Sequence, residues 1–347
     1  MKLFSIKFLN IFLRYIFVNC VLFLAMYSFI IAREGNENDS DNQSLIKKTT
    51  EIVDDTHNLL SEHISSVSDE LDSFFGAERM DGDFNQSKIR FNFITTFDDE
   101  GNANYKTNLS ASLVLPRTQK KMNLIVEDVK KNLTDDDQSE TGGGQNQNNV
   151  ADTVTESNLA AALQYVIFDS ENWAIDTRTG VIISAPLDPY ARLRVRRFFY
   201  FENEWESRFT QLVRWSYERD WEESSGLVFD KTINKQLLFR INNGISWQKK
   251  TQLFSFGHGY SLYHQLSSSK ALVYFSNISG IHEPKIHSTG YDIGVGYRQM
   301  IYNNWIFLEI SPKVVWSREE PNENFKRTNV RIVKIEFNFG GQKPLAQ

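Results

Sequence analysis

From Ser87 onward the chain alternates between apolar and polar positions. Ile89, Phe91, Phe93, Thr95 and Phe97 are interleaved with Arg90, Asn92, Ile94 and Thr96; after the turn sequence DDEGNAN, Tyr105, Thr107, Leu109, Ala111, Leu113 and Leu115 alternate with Lys106, Asn108, Ser110 and Ser112. A period of two puts successive side chains on opposite faces of a strand, so the two segments predict an antiparallel hairpin. Each runs to about ten or twelve residues, beyond the five or six usual in soluble sheets and enough to cross a bilayer at a tilt.

The period persists to the C-terminus and predicts further strands near 121–128, 158–168, 173–184, 190–202, 205–218, 224–233, 236–248, 252–265, 270–280, 287–301, 305–317 and 328–339. That makes about fourteen strands, or twelve if two are mis-split, and even counts with short turns on one side are the habit of membrane barrels. The expected fold is all-β: an antiparallel transmembrane β-barrel of about 12 to 14 strands over 87–340, preceded by an amphipathic helix. The polar, Gly-rich stretch from Thr134 to Glu156 reads as a disordered external loop of that barrel and marks no domain boundary.

Ahead of the strands the period is helical. Leu45, Ile46, Ile52, Val53, Leu59, Leu60, Ile64, Val67, Leu71 and Phe74 recur at three-, four- and seven-residue spacings between Ser44 and Gly76. Residues 45–76 are therefore expected to form an amphipathic periplasmic helix. Residues 33–44 are polar and acidic and read as a flexible linker. Residues 1–32 combine Lys2, Lys7 and Arg14 with a nearly unbroken apolar run from Tyr15 to Ile31, the pattern of a signal peptide cut after Ala32; an uncleaved anchor is the alternative. The one cysteine, Cys20, lies in this segment, so cleavage leaves no thiol for a disulfide, a metal or catalysis.

The faces of the strands can be assigned from their side chains. Trp173, Trp205, Trp221, Trp247, Trp305 and Trp316 fall at or near predicted strand ends and only Trp215 well inside one, as the two aromatic girdles of a membrane barrel require. The opposite face carries Arg90, Lys106, Asp176, Arg178, Arg192, Arg194, Arg196, Glu206, Arg208, Arg214, Glu218, Arg240, Asp292, Arg298, Glu309, Lys313, Lys334 and Glu336. Lipid outside and a polar lumen inside explain this division, and the lumen is then basic although the net charge of the whole chain is −6. That acidic total argues against a general nucleic-acid binder. In YARLRVRRFFY, Leu193, Val195 and Phe199 would face lipid and Arg192, Arg194 and Arg196 the lumen. With Arg208, Arg214 and Arg240 these form the candidate anion-interacting set, either drawing small anionic solutes through a pore or pairing with Asp176, Glu206 and Glu218 to stiffen the wall.

The last strand, NVRIVKIEFNFG, places Val333, Ile335, Phe337 and Phe339 on one face. It resembles the terminal strand of bacterial outer-membrane proteins, which implies that Ile335, Phe337 and Phe339 signal to the barrel assembly machinery; the tail GQKPLAQ at 341–347 departs from barrels that stop at Phe. Together, LDSFFGAER, SKIRFNFITTF, ASLVLPRT, PLDPYARLRVR, YNNWIFLEISPKVVW and IEFNFG resemble a family of uncharacterised gammaproteobacterial outer-membrane β-barrels. The resemblance implies a bacterial outer-membrane location, with lipid as partner, and carries no activity, cofactor or catalytic residue.

Candidate chemistry beyond the arginines is sparse. His258 and Ser261 in GHGYSLYHQ have opposite parity, so a nucleophile and base there would need a bulge at Gly257 or Gly259 to meet. His282, Glu283 and His287 could ligate a loop metal but lack a signature spacing. No cofactor or metal is expected. The leading expectation is a passive or gated pore, or a structural envelope barrel, with a basic lumen. An outer-membrane enzyme acting on lipid or lipopolysaccharide is the alternative, and a soluble or inner-membrane-anchored β protein is the third.

Overall fold

The computed structural model describes residues 87–115, 121–129, 158–170, 172–201, 205–234, 236–282, 285–303 and 305–340. The expected signal segment, linker, helix 45–76, loop 134–156, tail 341–347 and Glu283 lie outside them. Fourteen strands follow in order: β1 (Lys88–Phe97), β2 (Ala103–Val114), β3 (Met122–Val129), β4 (Asn158–Ser170), β5 (Trp173–Ile182), β6 (Asp188–Tyr200), β7 (Trp205–Ser216), β8 (Asp220–Asn234), β9 (Leu237–Gln248), β10 (Leu253–Ser267), β11 (Lys270–His282), β12 (Ile286–Tyr302), β13 (Ile306–Ser317) and β14 (Lys326–Phe339). Each pairs antiparallel with its sequence neighbours and β1 closes on β14, with Ile89 opposite Phe339 and Phe97 opposite Arg331. Closure leaves no strand edge, so every ladder can be satisfied without water, the condition for a sheet to stand in hydrocarbon.

Burial is inverted relative to a soluble protein. Arg194 and Arg240 are 2% and 1% exposed, whereas Leu163, Ile245 and Ile293 are 47%, 51% and 54% exposed. Only an apolar solvent outside the barrel makes that arrangement favourable, because apolar side chains gain nothing from facing water and buried charges must be paired. The chain is a transmembrane β-barrel.

Both chain ends of the barrel, Lys88 and Phe339, lie at one rim. The connection 268–269 at this proximal rim is a two-residue turn, while 318–325 at the distal rim is longer. Four register shifts, at Val166/Phe168, Thr232/Asn234, Gln265/Ser267 and Met300/Tyr302, sit where strands approach the proximal rim. An extra residue there breaks the two-residue phase and re-aims the side chains. At the first, Ile167 and Phe168 are consecutive yet both exposed. At the distal rim Gly101, with φ of 81°, turns β1 into β2 where a β-carbon would be strained.

The sequence placed β8 at 224–233, but the strand begins at Asp220. The tight turn 217–219 lets Trp215 pair with Trp221, so the tryptophan read as mid-strand belongs to the distal girdle.

Candidate functional site

The inner wall is built around β6. Arg192, Arg194 and Arg196 point inward at 8%, 2% and 1% exposure, while Leu193 and Phe199 between and beyond them stay exposed outside. Asp176 of β5, opposite Arg194, is the hub: it accepts from Arg194 Nε at 2.8 Å, from Gln164 Nε2 at 2.8 Å and from Arg192 at 3.5 Å. One register step away three arginines stand directly opposite one another across β5, β6 and β7, Arg178 facing Arg192 and Arg192 facing Arg214. Like charges in that relation repel. Carboxylates hold both ends of the row, Glu127 2.8 Å from Arg178 and Glu222 2.6 Å from Arg214.

Small residues make this row possible. Ala160 and Ala162 of β4 leave the inner wall low between Glu127 and Arg178, and Gly180 lies opposite Tyr190, where a β-carbon would collide with Ala162. Tyr190, Ile125, Ala160, Ala162 and Ile182 form one of several apolar patches on the inner face.

The remaining expected arginines are also inward. Arg240 grips Asp230 with two parallel bonds of 2.6 and 2.7 Å, the bidentate geometry guanidinium favours. Arg208 lines a small cleft with Phe198, Tyr200, Glu206 and Asp230. On the opposite wall, Arg298, Lys334 and Arg90 converge on Glu336 at 2.6, 3.5 and 3.8 Å, and Glu309 takes Lys334 at 2.7 Å. This second network bridges β12, β13, β14 and β1, across the seam where the barrel closes.

One expectation about the wall is corrected. Glu218 is not on an inward strand face: it stands in the exposed turn between β7 and β8, where its amide donates to Asp188. Asp176, one of the expected partners, pairs with both Arg192 and Arg194. Four inward acids were missed, Glu127, Asp188, Glu222 and Asp230, and they narrow the basic surplus. Glu222 fell outside the strand as read. Glu127 sits in MNLIVEDV, whose alternation is blurred by Ile125 facing inward. Asp230 had a usable signal, since it falls on the phase opposite Phe229 within the strand, and the sheet then sets it directly opposite Arg240.

Tryptophans mark both rims. Trp173, Trp205 and Trp305 are proximal; Trp215, Trp221, Trp247 and Trp316 are distal. At the proximal rim Phe337 and Phe339 pack on Trp305 at 6.2 and 5.5 Å between ring centres, and Phe337 also meets Phe91 of β1. Ile335 lies outward on the same strand, 37% exposed.

Among the described residues the histidine candidates do not assemble a site. Pairing of β10 with β9 runs unbroken from Leu253 to His264, so no bulge forms at Gly257 or Gly259 and the strand wall separates His258 from Ser261. Ser261 is 1% exposed on the inner face, whereas His258 bonds Asn243 at 2.7 Å on the outer face. His282 meets the Phe254 ring edge-on, and His287 Nδ1 donates to the Lys285 carbonyl at 2.9 Å.

No protein-family model and no curated protein matches the sequence. Among solved structures, a bacterial polysaccharide outer-membrane secretin is similar at 11% identity, covering 74% of this chain and 99% of the other, with a TM-score of 0.44. The outer-membrane channel DcaP of Acinetobacter baumannii matches at 7%, 73% and 96%, with a TM-score of 0.43. An anion-selective porin from Comamonas acidovorans matches at 8%, 73% and 98%, also at 0.43. Independently of those likenesses, a closed fourteen-strand meander with an apolar exterior, two aromatic girdles and a charged interior has the architecture of outer-membrane porin-like barrels.

Proposed function

We propose that the chain forms an outer-membrane pore with a basic lumen that prefers small anions. The observation that carries this reading is the row Arg178, Arg192 and Arg214 at one register, continued along β6 by Arg194 and Arg196. Positive rings and rows of this kind select anions, and fourteen strands lie between the side-chain-filled eight and the open channels of sixteen or more. A second reading is favoured by the ion pairs Arg214–Glu222 and Arg240–Asp230: a stiff structural envelope barrel whose charges are spent on each other.

The test is conductance across a planar bilayer with salt asymmetry. A pore gives a reversal potential of anionic sign that weakens on Arg192→Ala. Cation preference ends the anion proposal, and a purified, folded protein that never conducts leaves the structural reading. Membership of the gammaproteobacterial barrel family, export by residues 1–32, a periplasmic helix at 45–76, and recognition of Ile335, Phe337 and Phe339 by the assembly machinery belong to the same proposal, on the residues that carry each of them.

A further inference from the structure

The lipid-facing belt is apolar over most of the barrel, with Leu163, Tyr165, Ile167, Leu193, Ile310 and Ile335 on its surface. Across β7 to β10 polar side chains interrupt it. Gln211 lies on the outer face of β7 between Trp205 and Trp215, hence between the two girdles. Its amide donates to Glu223 of β8 at 2.8 Å, and it accepts from Ser225 at 2.6 Å. Two strands on, His258 Nδ1 donates to Asn243 Oδ1 at 2.7 Å, and Asn243 donates to the Leu227 carbonyl at 3.2 Å. His258 is four residues from Phe254 of the distal girdle, and Asn243 is four from Trp247.

Acyl chains offer no partner to an amide or an imidazole, so Gln211, Asn243 and His258, which lie inside the girdles, mark a surface that meets protein, and Glu223, directly opposite Trp247, stands at the distal edge of the same patch. The internal bonds leave capacity unused: Glu223 is exposed, and a His258 that donates through Nδ1 keeps Nε2 for another partner. One patch thus offers an acid on β8 and a base on β10, with Ile245 of β9 between them in register, opposite Ser225 and Phe256.

We propose that the outer face of β7–β10 is a two-fold interface with a second copy of this chain, in which Glu223 of each copy meets His258 of the other. A two-fold axis turns a patch onto itself, so an acid and a base on either side of its centre become two identical pairs. Bringing the carboxylate against the imidazole Nε2 satisfies both groups.

The test uses the full chain in its native membrane with Cys20→Ser as background. Ile245→Cys, near the axis, gives an oxidation-dependent band of twice the monomer mass, while Leu163→Cys on another face gives at least tenfold less. Glu223→Lys or His258→Glu added to Ile245→Cys lowers the dimer yield at least tenfold, and the two together restore it. Heat-modifiable gel mobility of each variant confirms a folded barrel before its yield is read. No dimer above the Leu163→Cys control, or cross-linking to a different protein, overturns the interface. Failure of the double exchange to restore the dimer overturns the Glu223–His258 pairing.

Discussion

Replacing Asp176 by Asn removes one charge from the inner wall while keeping volume and one acceptor oxygen. The carboxylate sits within 2.8 Å of Arg194 Nε and 3.5 Å of Arg192, and all three side chains are at least nine-tenths buried. Breaking a buried pair by deleting one partner costs about 3–5 kcal/mol, because the surviving charge is left without compensation. Two guanidiniums share the loss here, while the amide oxygen and Gln164 soften it, so the lower end applies: about 3 kcal/mol, or roughly a hundredfold in the folding equilibrium. Urea unfolding in lipid vesicles, followed by tryptophan fluorescence and by heat-modifiable mobility, measures it. Asp176→Asn combined with Arg194→Met should recover most of the loss, since it removes a charge from each side. A loss below about 1 kcal/mol, the range of exposed pairs, would refute the claim that this contact is desolvated. In the bilayer the same variant adds net positive charge to the lumen and should shift the reversal potential further toward anions.

Glu336→Gln deprives Arg298, Lys334 and Arg90 of their shared carboxylate across the closing seam; it should cost about 3 kcal/mol in the same unfolding assay, and neutrality would mean that Glu309 alone can hold the cluster. Phe339→Ala removes the ring 5.5 Å from Trp305 and should reduce the amount of folded barrel recovered from outer membranes several-fold, whereas unchanged recovery would separate this residue from assembly. At the distal rim Asp99 accepts from the Asn329 amide at 2.6 Å and its side chain at 3.0 Å, and these bonds, with Arg327 and Arg331 nearby, hold its carboxyl below the usual range. A lowered folded value means the clamp on β14 is fully present above the unfolded carboxylate value and is lost as pH falls through the folded one. Amide exchange at Asn329 should therefore stay slow at neutral pH and quicken only in strong acid; quickening near neutrality would contradict the assignment.

The barrel was legible because its two solvents impose a simple rule on every strand. Leu193 against Arg194 is the same decision as Val333 against Lys334, repeated until both the number and the phase of strands are determined. Strand ends were less legible because tight turns and bulges carry little of that signal: the turn 217–219 hid the start of β8, and with it Glu222 and the distal place of Trp215. Partner choice was harder still. Which of the expected acids stands directly opposite Arg194 depends on register between strands joined by the 183–187 turn, which no single strand's pattern records and which puts Asp176 there. The outer polar patch was missed for another reason. Gln211, Glu223 and Asn243 are separated in sequence, and only the sheet brings them onto one surface.

The two tryptophans of β7 also act as a ruler. Trp205 and Trp215 are on one face of one strand, ten residues apart. At about 3.3 Å per residue and an inclination of about 40°, they stand about 25 Å apart along the barrel axis. A bilayer of average hydrocarbon thickness, about 30 Å, must thin around such a wall, and each ångström of mismatch costs a fraction of a kcal/mol. The girdles therefore do more than anchor the protein at two interfaces. They tune it to a thin membrane, such as the bacterial outer membrane, and set against it any thicker membrane it meets on the way there.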